Sequence, residues 1–432
     1  MPGARGRVAQ NIFERGAEIK AAPRETGRVR FRLLCSRRNG RTMESFHRDD
    51  MDTTTARELY AGMAGGAAPR ILDVRNEEEF ARWKIEGPHP VEALNVPYFA
   101  FLEAEDDSVA AVRRWLGGRP DPLIVVCAKG GSSELVAEIL RAQGIDARNL
   151  AGGMAAWGAE TVATPVQAGE MRVWQIHRFG KGCLSYVIAS ESDAMVVDPH
   201  GAVEDYRGFL DERRLVLRAV FDTHLHADHV SGAPALASAT GAVYHASRED
   251  FDGAAFSYEP IHDGVALRFG SAVLTPLLFL SAPGHTPGST ALRAGDGLLL
   301  TGDTLFVESV GRPDLAGKAA EWGRELHRTL HRRLAAIPDD ALVLPAHSGG
   351  PGEAGNDGVI GRKLGALRRA SPAMRADEET FLRQILEAAR PAPDAYAVIR
   401  EVNLGARVVD EEARVTMELG RNECALSRRP TP

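Results

Sequence analysis

The chain has 432 residues, of which 44% are hydrophobic, and this length and composition predict a globular protein with two packed cores. Its formal net charge of -7 includes no dominant block of one sign, which disfavours a nucleic-acid-binding protein. Four scattered cysteines without CxxC spacing favour a reducing compartment, so we expect a cytoplasmic location. No apolar run approaches the roughly 18 residues of a membrane span, so we expect no membrane partner.

The N-terminal part differs from the rest of the chain. Residues 1–42 are rich in arginine and lack sustained periodicity. We predict that residues 1–50 form a basic, disordered extension. A basic arm that binds a partner is the alternative, and Met43 or Met51 is the expected true start.

Residues 51–157 alternate helix-like stretches with short apolar runs, namely "RILDVR", "ALNVPY" and "LIVVCAKGG". This βαβ rhythm predicts a first α/β domain with a parallel sheet flanked by helices. Residues 158–172, rich in Ala, Gly and Pro, are predicted to be a linker.

Seven further strand-like runs, with helices between them, predict a second and larger α/β domain over residues 173–350. Residues 351–404 are expected to form a helical extension of that domain. Residues 405–432 lose apolar periodicity, so we predict a partly disordered tail.

Several strand-like runs in the second domain lead to a residue that can bind a metal. The runs "AVFDTH", "FLSAPGH", "LLLTGD" and "LVLPAH" end at His224, His285, Asp303 and His347. Ligands in open α/β structures gather beyond the carboxyl ends of strands, so these side chains are expected to converge. The pattern therefore predicts a metal site.

The densest cluster of metal-binding residue types is "FDTHLHADHVSG". His224 and His226 are two residues apart and project similarly from an extended chain, while Asp228 and His229 follow in the turn. One segment can thus face two metal positions. Asp198, in "MVVDP", is expected to orient a ligand by accepting the second N–H of an imidazole.

In this order, "THLHADH", "PGHTPGS", "TGDTLF" and "PAH" closely resemble the motifs of the metallo-β-lactamase superfamily over about residues 173–350. The resemblance implies a four-layer αββα sandwich of two mixed sheets between helices, with the metal at one edge. The superfamily includes thiol-ester hydrolases with two metals and persulfide dioxygenases with one iron. Both kinds keep the same histidines and aspartates.

The segment "VGRPDLAG" resembles the Gly-Arg-x-Asp segment of persulfide dioxygenases. This likeness implies one Fe(II) per chain, bound by His224, His285 and Asp303, with open positions for a persulfide and dioxygen. It implies that Arg312 lies near the metal and binds substrate. A salt bridge between Arg312 and Asp314 is the structural alternative.

The remaining polar side chains have different roles under the two interpretations. In a dioxygenase they surround the iron or are the remnant of a second site. In a hydrolase of the hydroxyacylglutathione hydrolase type they complete a site for two Zn ions, where a bridging hydroxide attacks a thiol ester. The residues concerned are His226, Asp228, His229 and His347, with Asp198 supporting a ligand.

The first domain contains "LIVVCAKGGSS", an apolar strand that ends at Cys127, followed by a glycine-bearing loop and a helix. Backbone N–H groups of such a loop and the helix dipole stabilise a thiolate. Lys129 adds positive charge and is predicted to bind substrate. The loop is therefore a candidate nucleophile site.

With "ILDVRNEEEF" upstream and "LAGGMAAW" downstream, this loop closely resembles the rhodanese family of sulfurtransferases over about residues 53–157. The resemblance implies that Cys127 carries sulfur as a persulfide. Asp73 and Arg75 are expected to brace the underside of the loop.

The loop lacks the arginine of many rhodaneses and has Ser132 and Ser133 instead. A cysteine phosphatase is disfavoured, because its Cys-x5-Arg pattern needs arginine where Ser133 stands. A docking module with a structural Cys127 is the alternative. Cys183 is predicted to be a core residue, and Cys424 to lie in a poorly structured end.

A sulfurtransferase makes or consumes persulfide and sulfite, which are the substrate and product of a persulfide dioxygenase. Fusion of the two raises their local concentration. We therefore expect an enzyme of sulfide oxidation, in which iron oxidises a low-molecular-weight thiol persulfide and Cys127 transfers sulfane sulfur. The expected partners are the persulfide, sulfite or thiosulfate, and dioxygen, with a homodimer as one candidate assembly.

Overall fold

The computed structural model describes residues 52–119, 122–167, 171–267, 277–295, 297–314 and 317–426. The predicted basic extension, residues 1–50, lies outside them. The parts described belong to one compact unit, His47–Pro432. No helix in these ranges combines the length and hydrophobicity that a membrane crossing requires.

The first sheet is five-stranded and parallel, in the order β1-β5-β4-β2-β3. Both faces are covered by helices, which explains why its middle strand, Leu123–Val126, is apolar throughout. The strands are β1 (Thr53–Thr54), β2 (Arg70–Asp73), β3 (Glu92–Asn95), β4 (Leu123–Val126) and β5 (Ala147–Leu150). The helices are α1 (Ala56–Ala64), α2 (Glu77–Arg82), α3 (Tyr98–Glu103), α4 (Glu105–Leu116), α5 (Gly131–Ala142) and α6 (Gly153–Ala159).

The second sheet has seven strands in the order β12-β11-β10-β9-β8-β7-β6 and mixes parallel with antiparallel pairs. Its strands are β6 (Val162–Val166), β7 (Arg172–Arg178), β8 (Cys183–Ser190), β9 (Asp193–Val197), β10 (Val216–Phe221), β11 (Val243–Ala246) and β12 (Glu259–Pro260). Its outer face packs against α7 (Val203–Glu212), α8 (Ala233–Thr240) and α9 (Arg248–Phe251).

The third sheet has six strands in the order β13-β14-β15-β16-β17-β18 and is also mixed. Its strands are β13 (Ala266–Leu267), β14 (Leu277–Ser281), β15 (Thr290–Ala294), β16 (Leu298–Gly302), β17 (Leu342–Pro345) and β18 (Arg362–Lys363). Its inner face packs against the second sheet around a shared core that includes Tyr186, Phe221 and Phe279.

The remaining helices cover the outer face of the third sheet or continue toward the C-terminus. They are α10 (Ala319–Arg328), a π-helical turn (Thr329–Arg333), 3₁₀ turns (Leu334–Ala336 and Pro351–Glu353), α11 (Leu364–Ala370), α12 (Pro372–Arg375), α13 (Glu378–Ala388), α14 (Ala395–Asn403) and α15 (Glu411–Met417). The layer order of helices, sheet, sheet and helices confirms the predicted four-layer sandwich.

Two segments contain more structure than the sequence predicts. The predicted linker, residues 158–172, contains β6, an edge strand that tolerates Pro165 because an edge position needs fewer ladder hydrogen bonds. The predicted disordered tail contains α15, and its Cys424 is fully buried. Residues 427–432 of that tail lie outside the described ranges.

The strand ends bring the predicted metal ligands to one edge of the sandwich. β9 and β10 run parallel and lead to Asp198 and to the segment that begins with His224. In the other sheet, β14, β16 and β17 run in the same direction and lead to His285, Asp303 and His347. The site therefore lies at the edge where the C-terminal ends of these strands from the two sheets meet.

Candidate metal centre and cysteine loop

Three of the predicted ligands form one compact set of donors. His224, His285 and Asp303 each offer an atom within 4.8 Å of the other two. The Nε2 atoms of His224 and His285 lie 3.6 and 3.4 Å from Oδ2 of Asp303. All three side chains are buried, so this arrangement brings two imidazoles and one carboxylate together out of water.

The opposite side of each imidazole is fixed by a hydrogen bond. Nδ1 of His224 lies 3.0 Å from Oγ1 of Thr223, and Nδ1–H of His285 donates to the carbonyl of Arg312 at 2.9 Å. Within the described residues, Nε2 of His224 and Oδ2 of Asp303 have no hydrogen-bond partner although both are buried. Buried polar atoms without partners are costly unless an ion or water meets them, so the donor set fits a metal.

Burial and neighbouring charges together set the pKa of each of these three groups. Burial and the neighbouring His226 lower the pKa of His224, and burial lowers the pKa of His285. Burial alone would raise the pKa of Asp303, but His347 and His224 beside it hold that pKa below its ordinary value. Neutral imidazoles and an ionised carboxylate are the protonation states that bind metals.

Asp198 supports the metal-binding segment from behind. Its backbone φ of 52° is left-handed, a conformation that a non-glycine residue adopts with strain. Its carboxylate accepts from the backbone N–H and the hydroxyl of Thr223 at 2.7 and 2.9 Å and lies 3.1 Å from Nε2 of His226. Asp198 thus holds the imidazole of His226, and the orientation of a metal ligand by Asp198 stays a prediction.

The imidazole of His226 has two carboxylates near one ring nitrogen and no described partner at the other. Its Nε2 lies 3.1 Å from Asp198 and 3.7 Å from Asp222, and its Nδ1 has no partner among the residues that the structure describes. Burial would lower the pKa of His226, but Asp198 raises it well above the ordinary value. The side chain can therefore serve as a proton-bearing group or, through Nδ1, as a ligand.

The other candidate ligands bond to each other. Asp228 contacts His229 at 3.1 Å through Oδ1 and His347 at 3.0 Å through Oδ2. Nδ1 of His347 lies 2.7 Å from Oδ1 of Asp303, so this network continues into the first donor set. Burial would lower the pKa of His229, but Asp228 raises it to about 9.

Two cysteines complete this region, and the sequence does not identify either as part of the site. Sγ of Cys183 donates to Oδ2 of Asp228 at 3.3 Å, and Cys424 offers its sulfur within 4.8 Å of donor atoms of Asp303 and His347. Both cysteines are buried. For Cys183, the sequence signal is its place at the start of a strand, β8. In the structure it pairs with His347 through an isolated backbone bridge. Cys424 carries no such local signal, because it reaches the site through the path of the C-terminal segment.

Arg312 is held firmly by its neighbours. Its guanidinium donates to both oxygens of Asp314, at 2.6 and 2.8 Å, and to the carbonyl of Arg390. The predicted structural salt bridge therefore exists, while Nη1 has no partner in the described ranges. A Cβ at Gly311 would lie 1.9 Å from the carbonyl oxygen of Asp303, so glycine is required where this segment passes the ligand.

The cysteine loop follows β4 and precedes α5, as predicted. Sγ of Cys127 accepts from the backbone N–H of Gly130 at 3.1 Å and faces the hydroxyl of Ser133 at 3.2 Å. That hydroxyl also lies 2.7 Å from Oδ1 of Asn149. The N–H of Gly130 is thus directed at the sulfur, while the single proton of the Ser133 hydroxyl is shared between the sulfur and the amide oxygen of Asn149. A backbone donor at the sulfur suits a nucleophilic cysteine.

The residues predicted to support the loop or to bind substrate divide into buried and exposed ones. Asp73 and Arg75 form a buried ion pair at 2.6 Å, and Arg75 also donates to the carbonyl of Trp83. Lys129 instead points outward and pairs with Glu412 of α15 at 3.2 Å. Because both partners are largely exposed, that pair contributes little to stability.

The comparison with protein families identifies both domains. The profile of the Metallo-beta-lactamase superfamily matches residues 178–347, and that of the Rhodanese-like domain matches residues 55–160. The chain contains a rhodanese-like domain followed by a metallo-β-lactamase superfamily domain. The fusion predicted from the sequence motifs is thereby confirmed.

Proteins similar in sequence to this chain include an uncharacterized protein, a dioxygenase and a hydrolase. An uncharacterized protein of Mycobacterium leprae is 34% identical over 218 residues, 44% of this chain and 92% of that protein. Human mitochondrial persulfide dioxygenase ETHE1 is 33% identical over 159 residues, 36% of this chain and 59% of that enzyme. The hydroxyacylglutathione hydrolase of Methylobacillus flagellatus is 38% identical over 141 residues, 32% of this chain and 49% of that enzyme.

Proposed function

We propose that the chain is an iron-dependent persulfide dioxygenase, which oxidises a low-molecular-weight thiol persulfide to sulfite and is coupled to sulfur transfer at Cys127. The single observation that carries the proposal is a contrast between two neighbouring donor sets. His224, His285 and Asp303 direct buried atoms at a common point, whereas the donors of the adjacent set largely bond to each other.

Two histidines and one carboxylate on one face are typical of non-haem iron(II) oxygenases, because three protein ligands leave coordination positions open. The buried atoms without partners at His224 and Asp303 support a metal at this position. The 33% identity to human persulfide dioxygenase ETHE1 over 159 residues favours the same chemistry.

The adjacent set has less capacity for a second ion. Both carboxylate oxygens of Asp228 and both ring nitrogens of His347 already have partners. The thiol of Cys183 also bonds to Asp228. A second metal would have to replace these bonds, which supports one metal per chain.

The proposed reaction converts a thiol persulfide, dioxygen and water into the thiol, sulfite and two protons. The terminal sulfur is oxidised and dioxygen is reduced. When bound, iron would supply the open coordination positions and would relay electrons from sulfur to dioxygen. Thr223 and the carbonyl of Arg312 hold the two imidazoles in place. Nη1 of Arg312 is buried without a partner among the described residues, and we assign it to the substrate anion.

Cys127 is proposed to carry sulfane sulfur as a persulfide. The N–H of Gly130 and the hydroxyl of Ser133 stabilise the thiolate that leaves when sulfur moves to an acceptor. With sulfite as the acceptor, the sulfur–sulfur bond of the Cys127 persulfide breaks, a new one forms in thiosulfate, and the thiolate is regenerated.

A dinuclear zinc thiol-ester hydrolase is the second candidate. One observation favours it, since Nδ1 of His226 and Nε2 of His229 are buried without partners among the described residues. In a dinuclear site, Nδ1 of His226 would bind one zinc ion and Nε2 of His229 would bind the other. The 38% identity to a hydroxyacylglutathione hydrolase over 141 residues also supports this reaction.

Metal analysis and one hydrolysis assay distinguish the two candidates. Protein purified without oxygen is analysed by elemental mass spectrometry and then incubated with a glutathione thiol ester. The proposal expects one iron per chain and no thiol-ester cleavage. Two zinc ions per chain together with rapid cleavage would replace the dioxygenase by the hydrolase.

A further inference from the structure

The C-terminal segment contacts the metal loop, which is defined here as residues 224–231. This segment follows residue 347 and lies outside both family matches. One of its helices, α14, ends at Asn403, which is only 5% exposed although it is polar. A buried polar side chain requires partners, and those of Asn403 all belong to the metal loop.

The amide of Asn403 bonds to three backbone groups of the loop. Its Nδ2 donates to the carbonyls of His226 and His229, each at 2.9 Å, and its Oδ1 accepts from the N–H of Ser231 at 2.9 Å. An amide is the side chain of this size that offers two donors and an acceptor together. The two carbonyls it joins lie on either side of Asp228.

The metal loop depends on side chains for support because it forms no helix or strand. Besides the bonds to Asn403, the N–H of Leu225 donates to Asp250 at 3.0 Å, and the N–H of Val230 donates to Glu418 at 3.0 Å. Two of these three supports, Asn403 and Glu418, come from the C-terminal segment. The loop is thus shaped from outside the part of the chain that carries the ligands.

We propose that Asn403 is a positioning residue of the metal site. By fixing the carbonyls of His226 and His229, it sets the turn between them and hence the direction of the imidazole of His224 and the carboxylate of Asp228. The proposal rests on the proposed metal site but applies to the dioxygenase and the hydrolase alike. It makes the C-terminal segment a functional part of the metal centre.

A purely structural role would instead be confined to anchoring α14. The variant Asn403→Asp separates the two roles, since it keeps the shape and the acceptor for Ser231 but directs a carboxylate oxygen at two carbonyls. Asn422→Asp is the matched control, because Asn422 belongs to the same segment and its Nδ2 donates to the carbonyl of Lys181, away from the loop.

Cobalt(II) binding and amide hydrogen exchange measure the geometry of the site without turnover. For Asn403→Asp in the full chain we expect cobalt affinity to fall about 10- to 100-fold, as is common when a group that supports a ligand is lost. The visible cobalt spectrum is expected to shift. In the metal-free protein, the amides of Val230 and Ser231 are expected to exchange about tenfold faster or more. Asn422→Asp is expected to keep the wild-type spectrum and affinity.

Wild-type cobalt affinity, spectrum and loop exchange in Asn403→Asp, with only a lower melting temperature, would overturn the proposal and leave Asn403 as a helix anchor. If Asn403→Asp does not fold, Asn403→Ala removes the same bonds without adding charge. Its cobalt affinity, cobalt spectrum and loop exchange then test the proposal in the same way. Absence of cobalt binding by the wild-type chain would overturn the metal site itself. These outcomes distinguish failure of the positioning role from failure of the proposed function.

Discussion

The ring of His285 donates through Nδ1–H to the backbone carbonyl of Arg312 at 2.9 Å, so the orientation of a candidate metal ligand is fixed by a main-chain atom. The N–H of Arg312 in turn donates to the carbonyl of Cys424 at 2.8 Å. A hydrogen-bonded path thus joins the C-terminal segment to the ligand. It does not pass through the guanidinium of Arg312, which pairs with Asp314.

Substitution of Arg312 is therefore expected to affect turnover more than metal content. Arg312→Ala keeps the carbonyl that orients His285 but removes the charged donor Nη1. Loss of a charged hydrogen bond to substrate costs about 1.5–3 kcal/mol, so kcat/KM for the persulfide is expected to fall roughly 10- to 100-fold. Asp314→Asn is the control that weakens the ion pair but retains the guanidinium. Wholesale loss of metal from Arg312→Ala would make Arg312 a structural residue.

The two candidate sites are expected to fail separately. His285→Ala removes a metal ligand and is expected to abolish persulfide-dependent oxygen uptake while thiosulfate formation continues. Cys127→Ser removes the sulfur carrier and is expected to do the reverse. The measurements are an oxygen electrode and a colorimetric assay of sulfur transfer on each variant. Equal loss of both activities in either variant would contradict two separable sites.

Ser133 is expected to support the reactivity of Cys127. Its hydroxyl faces Sγ at 3.2 Å, so Ser133→Ala removes a donor to the thiolate. One such bond corresponds to about 1 kcal/mol, and alkylation by iodoacetamide at pH 7 is expected to slow roughly fivefold. Ser132→Ala is the matched control and is expected to react like the wild type. Unchanged alkylation of Ser133→Ala would limit Ser133 to its bond with Asn149.

Stability is expected to fall in mild acid because of His200. Burial, with a smaller effect of Arg178, lowers the pKa of His200 from 6.5 to about 3. The folded state therefore binds this proton less readily than the unfolded state, and the contribution is complete above pH 6.5 and lost as the pH falls toward 3.

The variant His200→Asn removes the titrating group but keeps an acceptor for the N–H of Ala202. Between pH 7.5 and pH 5 the wild type is expected to lose about 2 kcal/mol more of its free energy of unfolding than the variant. Urea denaturation at the two pH values measures this difference. The same pH dependence in both proteins would show that His200 is protonated without cost in the folded state.

The convergence of His224, His285 and Asp303 could be predicted from the sequence because each directly follows a strand, and strand ends share one edge. The participation of Asn403 and Cys424 could not. Neither residue lies in a motif, and each reaches the site through the path of a C-terminal segment whose apolar pattern is weak. Packing against the finished domain, rather than local propensity, orders that segment.

The edge strand β6 is another segment whose structure the sequence pattern did not predict. Its sequence contains Pro165, which removes a backbone donor and argues against a strand, and its pairing with β7 supplies the ladder bonds that define it. Sequence patterns therefore predicted the sheets and the ligands that follow their central strands. They did not predict the segments whose structure depends on contacts with those sheets.

The most direct test of the central claim is the oxygen consumed by iron-loaded protein when a glutathione persulfide is added, with sulfite measured in the same sample. The account predicts persulfide-dependent oxygen uptake with one sulfite formed per dioxygen, and none in protein loaded with zinc. No uptake by fully iron-loaded protein, or uptake without sulfite, would contradict it.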